Sequence, residues 1–273
     1  MRRRLLIAAA AIVAAVGSTL GGLHLAIRHQ RLPLFDVARQ RSVPVDLYVR
    51  RDKEAEASAG VESLPFAILL HGNTVRSSEY SFLADALAAR GYLVASIQND
   101  LPTDPPLSMH GYPYEGRLQA YQRGVANIDF VIKTLRRIEP IADYDKLMLI
   151  GHSQGGDIAV YYAAGHPDTV TRLVTLDNLR VPLQFVHAKI LSFRSRGGLF
   201  KPDPGVVPGT AECNKDGIQI VMTGAQHTSL SDRGPEALKQ RIVARLLKFL
   251  DDHKPAPKRA PIVVAQYSPS APY

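Results

Sequence analysis

The sequence predicts an α/β fold with a mostly parallel central sheet and helices on both faces. Three observations carry this. Leu64 to Leu70, Tyr92 to Ile97 and Leu147 to Ile150 are short continuous apolar runs, the pattern of strands buried on both faces. Helical patterns lie between them, and a strand–helix–strand order of this length joins parallel strands by right-handed crossovers. The third run enters Gly151-His152-Ser153-Gln154-Gly155, a tight Gly-flanked turn, and a helical stretch from Asp157 to Ala164 follows.

Taken in order, residues 28 to 42 read as a basic linker. Val43 to Val49 alternates and reads as an outer strand, and the polar stretch from Arg51 to Ser63 reads as a hairpin-like loop. Leu64 to Leu70 is a buried strand ending at His71-Gly72-Asn73. Ser78 to Ala89 is an amphipathic helix, with Phe82, Leu83 and Leu87 on one side and Gly91 as its stop. After the Tyr92–Ile97 strand, Asn99 to Gly116 carries Pro102, Pro105, Pro106 and Pro113, which exclude a regular element. This segment leaves the C-terminal end of a central strand, where open α/β sheets bind ligands, and it holds Met109, His110, Tyr112 and Tyr114. It is a candidate substrate-contacting loop.

Arg117 to Arg137 is a long helix, with Leu118, Tyr121, Val125, Ile128, Ile132 and Leu135 at spacings of three and four. Val170 to Leu176, Lys189 to Arg194 and Gly217 to Met222 are further strands, with a turn-rich segment from Ser195 to Gly205. Glu236 to Asp252 closes the domain as an amphipathic helix. The stretch between Gly165 and Gly217 is too short for a large lid domain.

The turn at Ser153 has a physical logic. It holds the serine in a strained backbone conformation with its hydroxyl projecting from the sheet. Side chains at 151 or 155 would collide with a neighbouring strand or helix, so glycine stands there. The helix that follows aims free N–H groups at a developing oxyanion.

These residues resemble the α/β-hydrolase superfamily. Gly151-His152-Ser153-Gln154-Gly155-Gly156 looks like its nucleophile elbow, and His71-Gly72-Asn73 looks like its oxyanion loop. The resemblance extends over about residues 43 to 251 and implies an α/β-hydrolase fold with a serine nucleophile. It implies oxyanion donors in the backbone N–H groups of Asn73 and Gln154; His71 itself reads as structural, its ring bonded to nearby backbone. Asn73 departs from the more usual glycine, which a backbone donor tolerates.

A serine hydroxyl needs a base. His227, five residues beyond Met222, lies where the superfamily places its histidine. The acid must fall between 153 and 227. Asp203, after the Lys189–Arg194 strand, matches the commoner placement and is favoured; Asp177, after the strand before it, is the alternative. Asp157 is expected to point into the helix behind the elbow, and His152 to be directed away from the serine.

The chain has 273 residues, 46% of them hydrophobic, enough for one sizeable domain. Its formal charge of +8 would suggest nucleic acid, but residues 43 to 253 hold 23 basic against 24 acidic residues, a net of −1. The basic excess lies in the two ends, which excludes a nucleic-acid reading. Arg2-Arg3-Arg4 precedes an apolar stretch from Leu5 to Ile27, so residues 1–27 read as a signal peptide or an uncleaved N-terminal membrane anchor. Either places the body outside the cytoplasmic membrane, with the arginines inside.

The expected organisation is therefore an N-terminal export segment, the linker at 28–42, a catalytic domain at 43–253 and a Pro-rich disordered tail at 254–273. The single cysteine, Cys213, excludes an internal disulfide. No H-E-x-x-H, paired Cys, G-x-G-x-x-G or P-loop is present, so the expected chemistry needs no cofactor and no metal. The expected substrate is a small-molecule or lipid-like ester. A serine peptidase or amidase on the same fold, or a non-catalytic envelope binding protein, are the competing readings.

Overall fold

A computed structural model of the chain describes residues 26–108 and 115–252. The expectations for the N-terminal apolar segment up to residue 25, for Met109, His110, Tyr112, Pro113 and Tyr114, and for the Pro-rich tail lie outside the described residues. Among the described residues, no helix is long and apolar enough to cross a membrane.

The chain forms an eight-stranded sheet. Its strands are β1 (Ile27–Asp36), β2 (Arg41–Arg50), β3 (Leu64–Leu70), β4 (Leu93–Ile97), β5 (Ala142–His152), β6 (Val170–Leu176), β7 (Lys189–Arg194) and β8 (Ile218–Met222). Their spatial order is β1-β2-β4-β3-β5-β6-β7-β8. β1 and β2 pair antiparallel, and so do β2 and β4, whereas every pair from β4 to β8 is parallel. The helices are α1 (Arg51–Ser58), α2 (Ser81–Ala89), α3 (Leu118–Ile138), α4 (Gln154–Gly165), α5 (Thr210–Asp216) and α6 (Glu236–Leu250).

Strand alternation divides the core into two layers. Phe66, Ile68 and Leu70 of β3, with Leu147 and Leu149 of β5, pack in one layer with Tyr121, Ile128, Val131 and Leu135 of α3 and Ile158 and Ala159 of α4. Ala67, Leu69, Met148 and Ile150 face the opposite way, into a layer with Leu83 and Leu87 of α2 and Leu238, Ile242 and Leu246 of α6. Each fully buried leucine or isoleucine here contributes about 1.5–3 kcal/mol of transfer free energy. Both faces being covered explains why these strands read as unbroken apolar runs.

Three segments depart from expectation. Residues 28–42 are not a linker: they form most of the outermost strand β1 and its turn into β2, in register from Ile27 opposite Arg50 to Asp36 opposite Arg41. Three of their arginines are paired, Arg28 with Glu54 at 2.7 Å, Arg39 with Asp36 at 2.5 Å and Arg41 with Asp104 at 2.6 Å. Residues 51–58 are a helix, α1, rather than a loop, and it buries none of its residues. A helix with no apolar stripe leaves no periodicity to read. A second unforeseen helix, α5, follows the turn-rich segment after β7 and buries Cys213.

Candidate active site

Ser153, Asp177 and His227 stand at the C-terminal ends of β5, β6 and β8. The Ser153 N–H donates to the Leu176 carbonyl at 2.9 Å, and the Asp177 N–H donates to the Phe193 carbonyl at 2.8 Å, so strand pairing runs right up to both side chains. Both residues have left-handed backbones, with φ 51° at Ser153 and 56° at Asp177. Such conformations cost on the order of 1–3 kcal/mol each and persist only where the surroundings impose them.

Packing around the elbow imposes this one. A Cβ on Gly155 would fall 2.3 Å from the Leu70 carbonyl oxygen at the end of β3, and a Cβ on Gly151 would fall 2.2 Å from the Gly155 oxygen. The first turn of α4 is thereby pressed between the ends of β3 and β5, with Ser153 as its N-cap at φ 51°, ψ −119°. Gly72 closes the other side, since a Cβ there would sit 3.4 Å from Ser153 Cβ.

His227 Nδ1 lies 2.7 Å from Asp177 Oδ2, and both side chains are buried. The other carboxylate oxygen, Oδ1, accepts the Ser195 N–H at 3.2 Å and lies 3.1 Å from the Arg194 guanidinium. Burial pushes the Asp177 carboxyl up, but the His227 bond, the Arg194 charge and the Ser195 bonds outweigh it and hold it below the ordinary carboxylate range. Asp177 therefore stays ionised beside the imidazole.

Asp203 is not at this position, which corrects the sequence-based preference. It pairs with Arg180 at 2.6 Å and is about one-third exposed. The strand before it ends at Arg194, and the intervening turn leads Asp203 away to Leu179, whose carbonyl accepts the Asp203 N–H at 2.8 Å.

His152 also differs from expectation. Its ring is buried against the site, 4.8 Å from the His227 ring. Its Nε2 lies 3.1 Å from the His227 carbonyl, which can only accept, so Nε2 carries the proton. Nδ1 then accepts the Tyr80 hydroxyl at 2.7 Å, and the Tyr80 oxygen accepts the Gly72 N–H at 3.0 Å. One chain of hydrogen bonds thus ties the oxyanion loop, the elbow and the histidine loop together. Burial, then the neighbouring His227, push the His152 imidazole down to about 3, so it is neutral at ordinary pH.

Two acids pin the loops. Asp157, on the first turn of α4, accepts the N–H groups of Leu179, Arg180 and Val181 at 3.0, 2.8 and 3.1 Å, which fixes the loop that follows Asp177. It does so across the elbow rather than within its own helix. Its complete burial pushes it up to about 6 despite those bonds. Asp232, five residues past His227, accepts the N–H groups of Ser81 and Phe82 at 2.9 and 3.2 Å and so caps α2.

Asn73 and Gln154 line one side of a cleft of about 540 Å³. Its opposite wall is the proline-bearing segment Asp100–Leu107, and Arg41 clamps that segment by a bidentate pair with Asp104 at 2.6 and 2.7 Å. His71 backs the cleft: its Nδ1 bonds the Gly72 carbonyl at 2.8 Å and its Nε2 accepts the Asn99 N–H at 2.9 Å, a structural arrangement. On the far side Phe200 stacks on the His227 ring at 4.4 Å, in a segment preceded by the left-handed Gly197 and Gly198. With Nδ1 and the ring faces of His227 engaged, Nε2 is the atom left for Ser153. No hydrogen bond joins Ser153 Oγ to His227 among the described residues.

The family model for the alpha/beta hydrolase fold matches residues 68–196, from β3 through the elbow to the residues after β7. The chain has the α/β-hydrolase fold, and residues 68–196 carry the match to that family. Similar solved structures agree on the fold. One, from Klebsiella pneumoniae subsp. pneumoniae MGH 78578 and provisionally named a dienelactone hydrolase, is 14% identical, with a TM-score of 0.57 over 84% of this chain and 100% of its own. Another, named m3DLH, is also 14% identical, with a TM-score of 0.58 over 83% of this chain and 98% of its own. No curated protein matches the sequence. Among the described residues, no group of three or more His, Cys, Asp and Glu is placed to hold a metal ion. Arg194 and Phe200, which the sequence does not single out, and the contacts of His152 and Asp157 become visible only when the strand ends are brought together.

Proposed function

We propose that this α/β hydrolase is a serine hydrolase that cleaves a carboxylic ester through an acyl-enzyme. The observation that carries the reading is the convergence of a left-handed Ser153 at the head of α4 with a buried His227–Asp177 pair at 2.7 Å. Ser153 Oγ attacks the ester carbonyl while His227 Nε2 takes its proton. Asp177 holds the imidazole with its proton on Nδ1 and stabilises the imidazolium that forms. The oxyanion is held by the backbone N–H groups of Asn73 and Gln154, each donor contributing on the order of 3 kcal/mol to the transition state. His227 then returns the proton to the departing alcohol, and a water activated by the same ring releases the acid.

The cleft beside Asn73 and Gln154 takes one limb of a small-molecule or lipid-like ester, against Leu101, Pro105, Pro106 and Leu107. Export of the body across the cytoplasmic membrane belongs to the same reading, supported by Arg2-Arg3-Arg4 ahead of the apolar stretch from Leu5 to Ile27.

The test is turnover of matched ester and anilide pairs by the full chain beside Ser153→Ala. Ester turnover that vanishes in the variant supports the reading. Turnover of anilides at equal or greater rates would move it to an amidase, and equal turnover by the variant would refute it.

A further inference from the structure

Arg194 is a cation placed behind the acid of the site, where an acyl-transfer mechanism has no step for it. Its guanidinium is buried at the end of β7, its side chain 5% exposed against 3% for Asp177, and lies 3.1 Å from Asp177 Oδ1. Nη1 also donates to the carbonyl oxygen and to Oδ1 of Asn178, at 2.9 and 3.0 Å. The side chain therefore bridges the end of β7 to the two residues that leave β6. The Asp177 carboxylate is shared, with Oδ2 on the imidazole and Oδ1 on a guanidinium and a backbone N–H.

We infer that Arg194 is a positioning residue that fixes Asp177 and, by its charge, weakens the pull of that carboxylate on the His227 proton. This rests on the assignment of Ser153, His227 and Asp177 made above. A carboxylate already neutralised on one side stabilises an imidazolium less than a free one does. The consequence is a histidine that remains an available base to lower pH than Asp177 alone would allow.

The other groups facing this cluster do not supply the same effect. His152, whose ring lies against His227, is held neutral by its burial and by the neighbouring His227. Asp157 is anionic when ionised and acts on Arg194 from α4. Phe200 and the Ser195 N–H carry no net charge. Burial is what makes the arginine effective, since a buried cation is screened little by salt. Burial pulls the Arg194 guanidinium down, opposed by the charges of Asp177 and Asp157.

The test is the rate of fluorophosphonate labelling of the full chain against pH, for wild type, Arg194→Gln and Arg194→Lys. Removing the cation favours protonated His227, so the acid limb of Arg194→Gln moves up by about one pH unit, as expected for a single neighbouring charge. Below that limb the variant labels roughly tenfold more slowly than wild type relative to its own alkaline plateau. Arg194→Lys keeps the charge and loses the bidentate grip on Asn178, so its plateau falls while its acid limb stays within about 0.3 units of wild type.

A purely structural arginine would lower the Arg194→Gln plateau and leave the limb in place, which overturns the inference. Should Arg194→Gln fail to fold, the comparison moves to Asp177→Asn beside Asp177→Asn/Arg194→Gln, in which the pair is replaced as a whole. There the His227 titration followed by NMR rises in the double variant if the inference holds, and an unchanged midpoint sinks it. A wild type that does not label at all would refute the proposed function instead, so the two failures are distinct.

Discussion

Asp177 and His227 meet at 2.7 Å across the ends of β6 and β8, while Asp203 is engaged by Arg180 at 2.6 Å. The contrast assigns different consequences to two acids that lie in successive loops. Replacing Asp177 by Asn keeps the shape and loses the charge that orients the imidazole, so kcat falls by on the order of 10⁴-fold. Asp203→Asn loses a partly exposed ion pair, and kcat stays within about threefold. Steady-state rates of the two variants on one ester decide between them.

Phe200 covers one face of His227 with the ring planes 22° apart. A stack of this kind contributes about 0.5–1.5 kcal/mol and shields the imidazole from water. Phe200→Ala is expected to lower kcat/KM by roughly three- to tenfold. Its melting temperature should change little, because the segment around it carries the 92% exposed Leu199 and packs no core. Kinetics and a thermal melt on the same preparation check both halves.

Arg41 fastens the wall of the cleft through Asp104, and it also donates to the Asn99 carbonyl at 2.7 Å. Asp104 lies below its ordinary range: burial pushes it up, but the Arg41 bond, the Leu101 N–H and the Arg123 charge outweigh that. Arg41→Ala frees the proline-bearing segment without touching Ser153 or His227. KM should rise several-fold with kcat within about twofold, the pattern of lost ground-state binding. A drop in kcat with unchanged KM would show that the segment contributes to the chemical step instead.

Asp157 leaves a signature in the pH dependence of stability. Its carboxyl is pushed up to about 6 by burial, against roughly 3.9 in an unfolded chain. Between those values the folded state binds more protons than the unfolded state, so this group favours folding at low pH and loses that contribution as pH rises through 6. The stability of wild type minus that of Asp157→Asn is therefore expected to fall between pH 4 and 6, by at most about 1.4 kcal/mol per unit. His152 acts oppositely: held near 3, it resists protonation that the unfolded chain accepts near 6.5, and its share is lost as pH drops below that. Urea unfolding across this range, wild type beside variant, isolates the Asp157 term.

The sheet was legible because both its faces are covered. Leu64–Leu70 and Leu147–Ile150 are apolar throughout, since alternate residues serve the α3/α4 layer and the α2/α6 layer. Ser153 was legible because Gly151 and Gly155 are demanded by contacts with neighbouring backbone. β1 was not, because an outermost strand is held by its ladder to β2. Arg28 and Arg41 of that hairpin also find their partners, Glu54, Glu139 and Asp104, at a distance in sequence. α1 has no buried stripe to betray it.

The choice of acid was not legible for a different reason. Chain order admits both acids and placement favours Asp203; what selects Asp177 is the lateral order of β6, β7 and β8 together with the turn that sends Asp203 toward Leu179 and Arg180. The tie from Gly72 through Tyr80 and His152 to His227 joins loops from opposite ends of the domain's sequence and has no local pattern at all.

In the proposed reaction Ser153 is activated by His227 held on Asp177. This is tested most directly by intact-mass measurement of the full chain after exposure to a fluorophosphonate, beside Ser153→Ala, His227→Ala and Asp177→Asn. Wild type is expected to take up one adduct, located on Ser153 by peptide mapping, Ser153→Ala none, and the other two variants to label more slowly by orders of magnitude. A folded wild type that takes up no adduct, or an adduct that persists at the wild-type rate in His227→Ala, would contradict it.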